Sequence, residues 1–153
     1  MRPPVLKIVP MKQSHISGCK DIVANSDPWR TLHEGLDFSS FIHSKQAYVC
    51  TRGKQPVGFI VFTPKPVFAR GGYIRAVGVA PGMRRSGTGT RLLAFAEQKI
   101  SRHSRHVYLC VSSFNRPGQL FYKSRGYVMV GKIPGLTLPN ASEYIYWKKL
   151  KRL

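Results

Sequence analysis

Six residues, Arg84-Arg85-Ser86-Gly87-Thr88-Gly89, join an apolar run at 76–80 to a segment of helical spacing at 90–96. A glycine turn between a strand and a helix leaves the first helical N–H groups without acceptors, and such a turn is suited to an anion. The chain must therefore fold so that a strand leads into this loop and a helix leads out of it. Two familiar loop chemistries do not fit. A nucleotide-hydrolase phosphate loop requires Gly-Lys-Ser/Thr at its end, and that triplet does not occur. A dinucleotide fingerprint requires a third glycine where Leu92 stands, and an acid about 20 residues further on, where none is found. The pattern that remains is Arg-x-x-Gly-x-Gly, carried by Arg84, Gly87 and Gly89.

The 153 residues suit a single domain spanning 1–153, and 42% hydrophobic content supplies its core. The longest apolar run, at 57–62, falls far short of the roughly 20 residues of a membrane helix. The opening MRPPVLKIVPMK lacks the apolar core of a secretory signal. These features lead us to expect a cytoplasmic protein without a membrane partner. Cys19, Cys50 and Cys110 are odd in number and form no CxxC, so reduced, buried thiols are expected. His103 and His106 lie in a polar stretch with no cysteine or acid beside them, and no metal is expected. Twenty-five Lys and Arg against six Asp and Glu give a net charge of +19. Such a surface draws polyanions, but its cations are scattered, apart from the basic tail at 148–152, and a scattered pattern identifies no nucleic-acid reader.

Hydrophobic periodicity and turn residues predict strands at 5–10, 47–51, 56–63, 73–80, 106–111, 127–132 and 144–149. Helices are expected from Ser14, as N-cap, to 23, through 38–42, over 87–102 and over 117–125. Gly53 marks a hairpin turn, Pro64 and Pro66 a strand break, and Gly126 a helix stop. The expected fold is a single α/β (α+β) domain, with a central, mixed, mostly antiparallel sheet of about six to seven strands and about four flanking helices.

The segment VGVAPGMRRSGTGTRLL at 77–93 resembles the acetyl-CoA-binding motif of the GNAT superfamily of N-acetyltransferases. NRPGQLFYKSRGY at 115–127 resembles that family's later Asn…Tyr…Gly-aromatic segment, and the element order is similar throughout. PMKQSHI at 10–16 and DPW at 27–29 resemble the ribosomal-protein N-acetyltransferase branch. The resemblance implies a GNAT-type fold with acetyl-CoA as co-substrate. It implies pyrophosphate binding by the loop residues Arg84, Arg85, Ser86, Gly87, Thr88, Gly89 and Thr90. Backbone donors near the helix start and glycines that admit the phosphates closely suit that task. Position 85 is usually glycine in the family, and the arginine here departs from the pattern. The resemblance also implies that Val77 and Val79 pair with the pantetheine arm, that Gly78 marks a bulge, and that Asn115 caps a helix and contacts the arm.

The implied reaction moves an acetyl group to a primary amine by direct attack. Tyr122 matches the family's general acid for the departing thiolate. Many family members place a glutamate on the strand before the loop, but Tyr73-Ile74-Arg75-Ala76-Val77 has none. Among the six acids, Glu97 is expected to face solvent, Glu34 lies in the loop between the first two helices, and Glu143 opens the last strand. Glu143 is taken as the candidate base; a water chain or an amine delivered already neutral would serve as well. The basic surface favours an amine on a protein N-terminus or one carried by RNA or a ribosome. A homodimer is compatible with the fold. A GNAT-shaped module without turnover, sensing acyl-CoA or binding nucleic acid, is the alternative.

Overall fold

The computed structural model describes residues 2 and 4–151; Arg152 of the basic tail lies outside them. The strands are β1 (Leu6–Pro10), β2 (Ala47–Arg52), β3 (Gln55–Phe68), β4 (Gly71–Val79), β5 (His106–Ser112), β6 (Val128–Pro134) and β7 (Ser142–Lys149). The helices are α1 (Ile16–Ala24), α2 (Trp29–Leu32), α3 (Phe38–His43), α4 (Thr88–Ser101) and α5 (Arg116–Ser124). The strands form one sheet in the order β1-β2-β3-β4-β5-β7-β6. Antiparallel pairs join β1 to β2, β2 to β3, β5 to β7 and β6 to β7, while β4 and β5 run parallel. The mixed, mostly antiparallel α/β fold is as expected, with five helices among the described residues.

Two local expectations are corrected, and one short helix had none. Ser14 does not cap α1. It sits in a single 3-10 turn, Gln13–His15, and α1 begins after His15. The Lys12 N–H donates to His15 Nδ1 at 3.0 Å, so the imidazole satisfies a backbone donor at this entry. The four residues of α2 follow a cis Asp27-Pro28 bond and carry no periodic signal of their own. Pro64 and Pro66 do not break β3, which continues to Phe68. Two prolines two residues apart remove donors from the same side of a strand, and the other side remains free to pair.

The chain divides into two compact units, residues 1–62 with 76–95, and residues 63–75 with 96–153. In the first, Phe59 is fully buried at the centre of the core. Its ring meets Phe38 edge-on at 5.0 Å and Trp29 at 5.8 Å. Such aromatic pairs add about 0.5–1.5 kcal/mol beyond their buried area. Gly78 is buried beneath the same ring, and a Cβ there would collide with Phe59. Its glycine therefore serves close packing.

In the second unit, strand alternation sorts β5 cleanly. Val107, Leu109 and Val111 are buried, while His106, Tyr108 and Cys110 are part-exposed. Opposite these on β7, Lys148, Tyr146 and Tyr144 take the first face, and Lys149, Trp147 and Ile145 the second. The later turns of α4 lie on the first face, where Ile100 packs over Gly72. Glu97 there accepts from Lys148 Nζ at 3.0 Å and from the Tyr127 hydroxyl at 3.1 Å. Glu97 is thus not a solvent-facing charge. The basic chain gives this acid two partners, and their pairing lets Tyr127 be buried and Glu97 and Lys148 be partly buried.

Candidate active site

The first unit carries the glycine loop. After β4, Pro81–Met83 form a 3-10 turn, and Arg84 resumes an extended backbone. Arg85 then enters the left-handed region at φ 61°, and Gly87 follows at φ 86°. A side chain at φ 61° costs on the order of 1 kcal/mol relative to glycine. The first intrahelical bond runs from the Arg91 N–H to the Gly87 oxygen at 3.0 Å. Helix geometry therefore leaves the N–H groups of Thr88, Gly89 and Thr90 without intrahelical acceptors. Nothing lies within 4 Å of where a Gly87 side chain would project. Open space, unspent donors, a helix dipole and the Arg85 cation suit a compact dianion such as a pyrophosphate.

The loop's other side chains hold its shape. Ser86 Oγ donates to the Met83 oxygen and lies 2.9 Å from Thr88 Oγ1, and Thr88 is fully buried. Arg84 turns inward. Its guanidinium donates to the Asn25 oxygen at 2.8 Å, to Ser26 Oγ at 3.1 Å and to the Val79 oxygen at 3.4 Å. These contacts make Arg84 a tie between the loop and the end of α1. The β4–β5 ladder pairs Gly72, Tyr73 and Ile74 with Val107, Tyr108 and Leu109, and β4 runs on to Val79. Val77 and Val79 are part-exposed on this extension.

The second unit carries Asn115, Tyr122 and Glu143. Asn115 is the N-cap of α5, with Oδ1 accepting from the Gly118 N–H at 3.1 Å. Gln119 anchors the same turn by donating to the Ser112 and Ser113 oxygens at 3.1 and 3.0 Å. Tyr122 lies on α5 against Phe121 and Tyr127, at 5.2 and 5.8 Å between ring centres. Burial pushes its hydroxyl well above the ordinary phenol range, so it is present as the proton-bearing form. Gly126, at φ 93°, turns the chain out of α5.

Glu143 is half-buried on β7 and accepts from Ser112 Oγ at 2.9 Å. Burial raises its carboxyl above the usual range, and the Ser112 hydrogen bond partly opposes that shift. Two neighbours went unread in the sequence. Tyr73 on β4 and Cys110 on β5 are hydrogen-bonded, and both feel the Glu143 charge. Burial and these neighbours push the Tyr73 phenol up, and burial first raises Cys110. Strand alternation at 71, 73 and 75 was the available signal for Tyr73, but its partner strand was not readable locally. Cys19 is pushed up to about 12 by burial, which makes it an inert core thiol. Glu34 is exposed between α2 and α3. Among the described residues, no group of three or more His, Cys, Asp or Glu is placed to hold a metal. No helix among them is long and apolar enough to cross a membrane.

Among curated proteins, none matches the sequence. Solved structures do match in fold. The NatC complex bound to Gag peptide and CoA contains a chain 18% identical, with 95% of this chain and 99% of that one covered at a TM-score of 0.75. The ribosomal-protein-S18-alanine N-acetyltransferase from Escherichia coli is 14% identical, with coverage of 97% and 96% and a TM-score of 0.75. Arabidopsis thaliana Naa50, in complex with the bisubstrate analogue CoA-Ac-MVNAL, is 20% identical, with coverage of 95% and 99% and a TM-score of 0.75. The profile of the acetyltransferase (GNAT) family matches residues 16–127, a span that runs from α1 through the glycine loop to the end of α5. The chain belongs to the GNAT family of acetyltransferases.

Proposed function

We propose that the protein is an N-acetyltransferase that moves an acetyl group from acetyl-CoA to a primary amine. The observation that carries this reading is the loop at 85–90, where left-handed turns at Arg85 and Gly87 feed the free N–H groups of a 14-residue helix. Acetyl-CoA supplies the activated thioester. The N–H groups of Thr88, Gly89 and Thr90, with Arg85, hold its pyrophosphate. Arg84, Ser86 and Thr88 fix the loop's shape. The part-exposed β4 extension at Val77–Val79 offers backbone groups to the pantetheine arm and an N–H to the developing oxyanion. Asn115 orders the start of α5 and meets the arm.

The amine nitrogen attacks the thioester carbon, the carbon–sulfur bond breaks, and two protons must be placed. Glu143, or a water it holds, takes the proton from the amine. The Tyr122 hydroxyl gives its proton to the departing thiolate, whose basicity rises in the same desolvated surroundings. A strongly basic chain repels polyamines and favours amines on larger, anionic carriers. The substrate class we propose is accordingly a protein N-terminus or an amine borne on RNA or a ribosome. Work in a cytoplasmic compartment is consistent with the reduced thiols.

The test is release of CoA thiol by purified protein given acetyl-CoA and, separately, ribosomal N-terminal peptides, aminoacyl-tRNA and spermidine. Turnover on a peptide or aminoacyl-tRNA, lost in Gly87→Glu with Gly89→Glu, is expected. Turnover on spermidine alone overturns the substrate class. Tight acetyl-CoA binding with no turnover on any amine makes the chain a binding module.

A further inference from the structure

The outer face of the second unit's sheet is unlike an ordinary solvated surface. Tyr108 on β5 stands beside Tyr73 on β4 and opposite Trp147 on β7. Its ring also meets the exposed Phe68 edge-on at 5.1 Å. That reach across β4 depends on Gly71, where any Cβ would lie 2.6 Å from the Tyr108 ring. Trp147 stacks on His106 at 5.9 Å and donates from Nε1 to His106 Nδ1 at 3.1 Å, which leaves the Nε2–H of His106 to give elsewhere. Aromatic side chains therefore stand on all four of these strands on the half-exposed side.

Cations frame one end of this row. Arg102, Arg105, Lys149 and Lys151 are exposed at the ends of α4, β5 and β7, and exposed Arg70 joins them at the β3–β4 turn. Hydrogen bonds tie together the segments that carry Arg70, Arg105, Lys149 and Lys151. Ser104 Oγ donates to the Arg70 oxygen at 2.5 Å, the Leu150 N–H to the Arg105 oxygen at 2.6 Å, and Arg105 Nε to the Leu150 oxygen at 3.4 Å. The unit's acids do not lie among these cations, although Glu143 shares the aromatic face and its charge reaches Tyr73. Glu97 is paired with Lys148 on the opposite face, and Glu143 sits six residues along β5–β7 from the Arg105 end, about 20 Å at strand rise.

We infer that this face is a binding surface for single-stranded RNA, an activity beyond acetyl transfer on a face that borders Glu143 at Tyr73. Ring faces accept unpaired bases without demanding a sequence, and the flanking cations take the phosphates. A double helix hides its bases and would leave the aromatic row unused. The His106 Nε2–H is a donor for a ribose 2′-hydroxyl.

The test is a titration of the full chain with a fluorescent twelve-residue oligouridylate, read by anisotropy and by quenching of Trp147 emission. Five phosphate contacts at about 0.7 each give a slope of about −3.5 in log affinity against log salt. Phe68→Ala is expected to weaken binding about tenfold. Lys149→Glu with Lys151→Glu is expected to reduce it further and flatten the salt slope. Both variants should keep the wild-type acetyl-CoA affinity, which shows that the fold is intact and separates this inference from the proposed enzymatic activity. An equal loss in Lys20→Glu with Lys54→Glu, which lie in the other unit, overturns the inference, because net charge alone would then explain binding. Equal affinity for a duplex or for the deoxy strand overturns it too, as does binding to anionic vesicles in place of the oligomer.

Discussion

The Arg84 guanidinium donates to the backbone oxygen of Asn25 at 2.8 Å, across 59 positions of sequence. It fastens the glycine loop to the end of α1 and shares Ser26 Oγ, whose own proton goes to the Ile22 oxygen at 2.5 Å. Arg84→Ala removes a charged donor and should lower stability by about 1–2 kcal/mol. It should also raise the Kd for acetyl-CoA, because the loop loses its anchor. Arg84→Lys should rescue little, since one ammonium cannot reach the three oxygens in this planar arrangement. Thermal denaturation together with acetyl-CoA titration measures both effects.

Arg85 offers the opposite trade. At φ 61° it occupies a conformation that glycine adopts freely. Arg85→Gly is expected to gain about 0.5–1 kcal/mol of stability while losing a cation from the proposed pyrophosphate loop. Tm should rise and acetyl-CoA affinity should fall several-fold. An Arg85→Ala variant that is more stable than Arg85→Gly would contradict the strain argument.

As the proposed base, Glu143 is expected to set a pH dependence. Burial raises its carboxyl, so it keeps its proton to higher pH than an exposed glutamate. As a base it works only when ionised, so kcat/KM should rise through a limb above the usual carboxylate range. Ser112→Ala removes the hydrogen bond that favours ionisation and should move that limb further up. Glu143→Gln should abolish it. The sign for stability is reversed: a raised carboxyl favours the folded state when protonated, and that contribution is lost as pH rises through the folded value. A pH profile unchanged in Glu143→Gln would assign the amine's proton to another acceptor.

Tyr122→Phe tests the general acid. The substitution keeps the ring against Phe121 and Tyr127 and removes only the hydroxyl. kcat should fall by about a hundredfold or more, with acetyl-CoA affinity unchanged. Equal turnover in the two proteins would remove Tyr122 from the chemistry.

Glu97→Ala tests a structural ion pair. It strips both Lys148 and Tyr127 of their shared acceptor. The loss should be about 1–3 kcal/mol of stability without a change in the pH limb of activity. Urea denaturation, followed by the same pH series, separates the two readouts.

The sequence by itself determined the loop, because everything that defines it lies within a few positions. Gly87 and Gly89 set the backbone, the spacing of Leu92, Leu93, Ala96 and Ile100 sets the helix, and alternation sets the strands on either side. Asn115 was likewise readable as a cap, since its acceptor lies three residues on. Tertiary structure decided what crosses long stretches of chain. Arg84 reads as a phosphate ligand in sequence and becomes a tie to α1 only when Asn25 is brought alongside. Glu97 reads as a solvated helix charge until β7 supplies Lys148, 51 residues away. Tyr73, Cys110 and Glu143 gather only through the register of β4, β5 and β7. Periodicity fixes which side of an element faces inward, but the identity of the neighbour on that side is set by strand order and register, which no local spacing encodes.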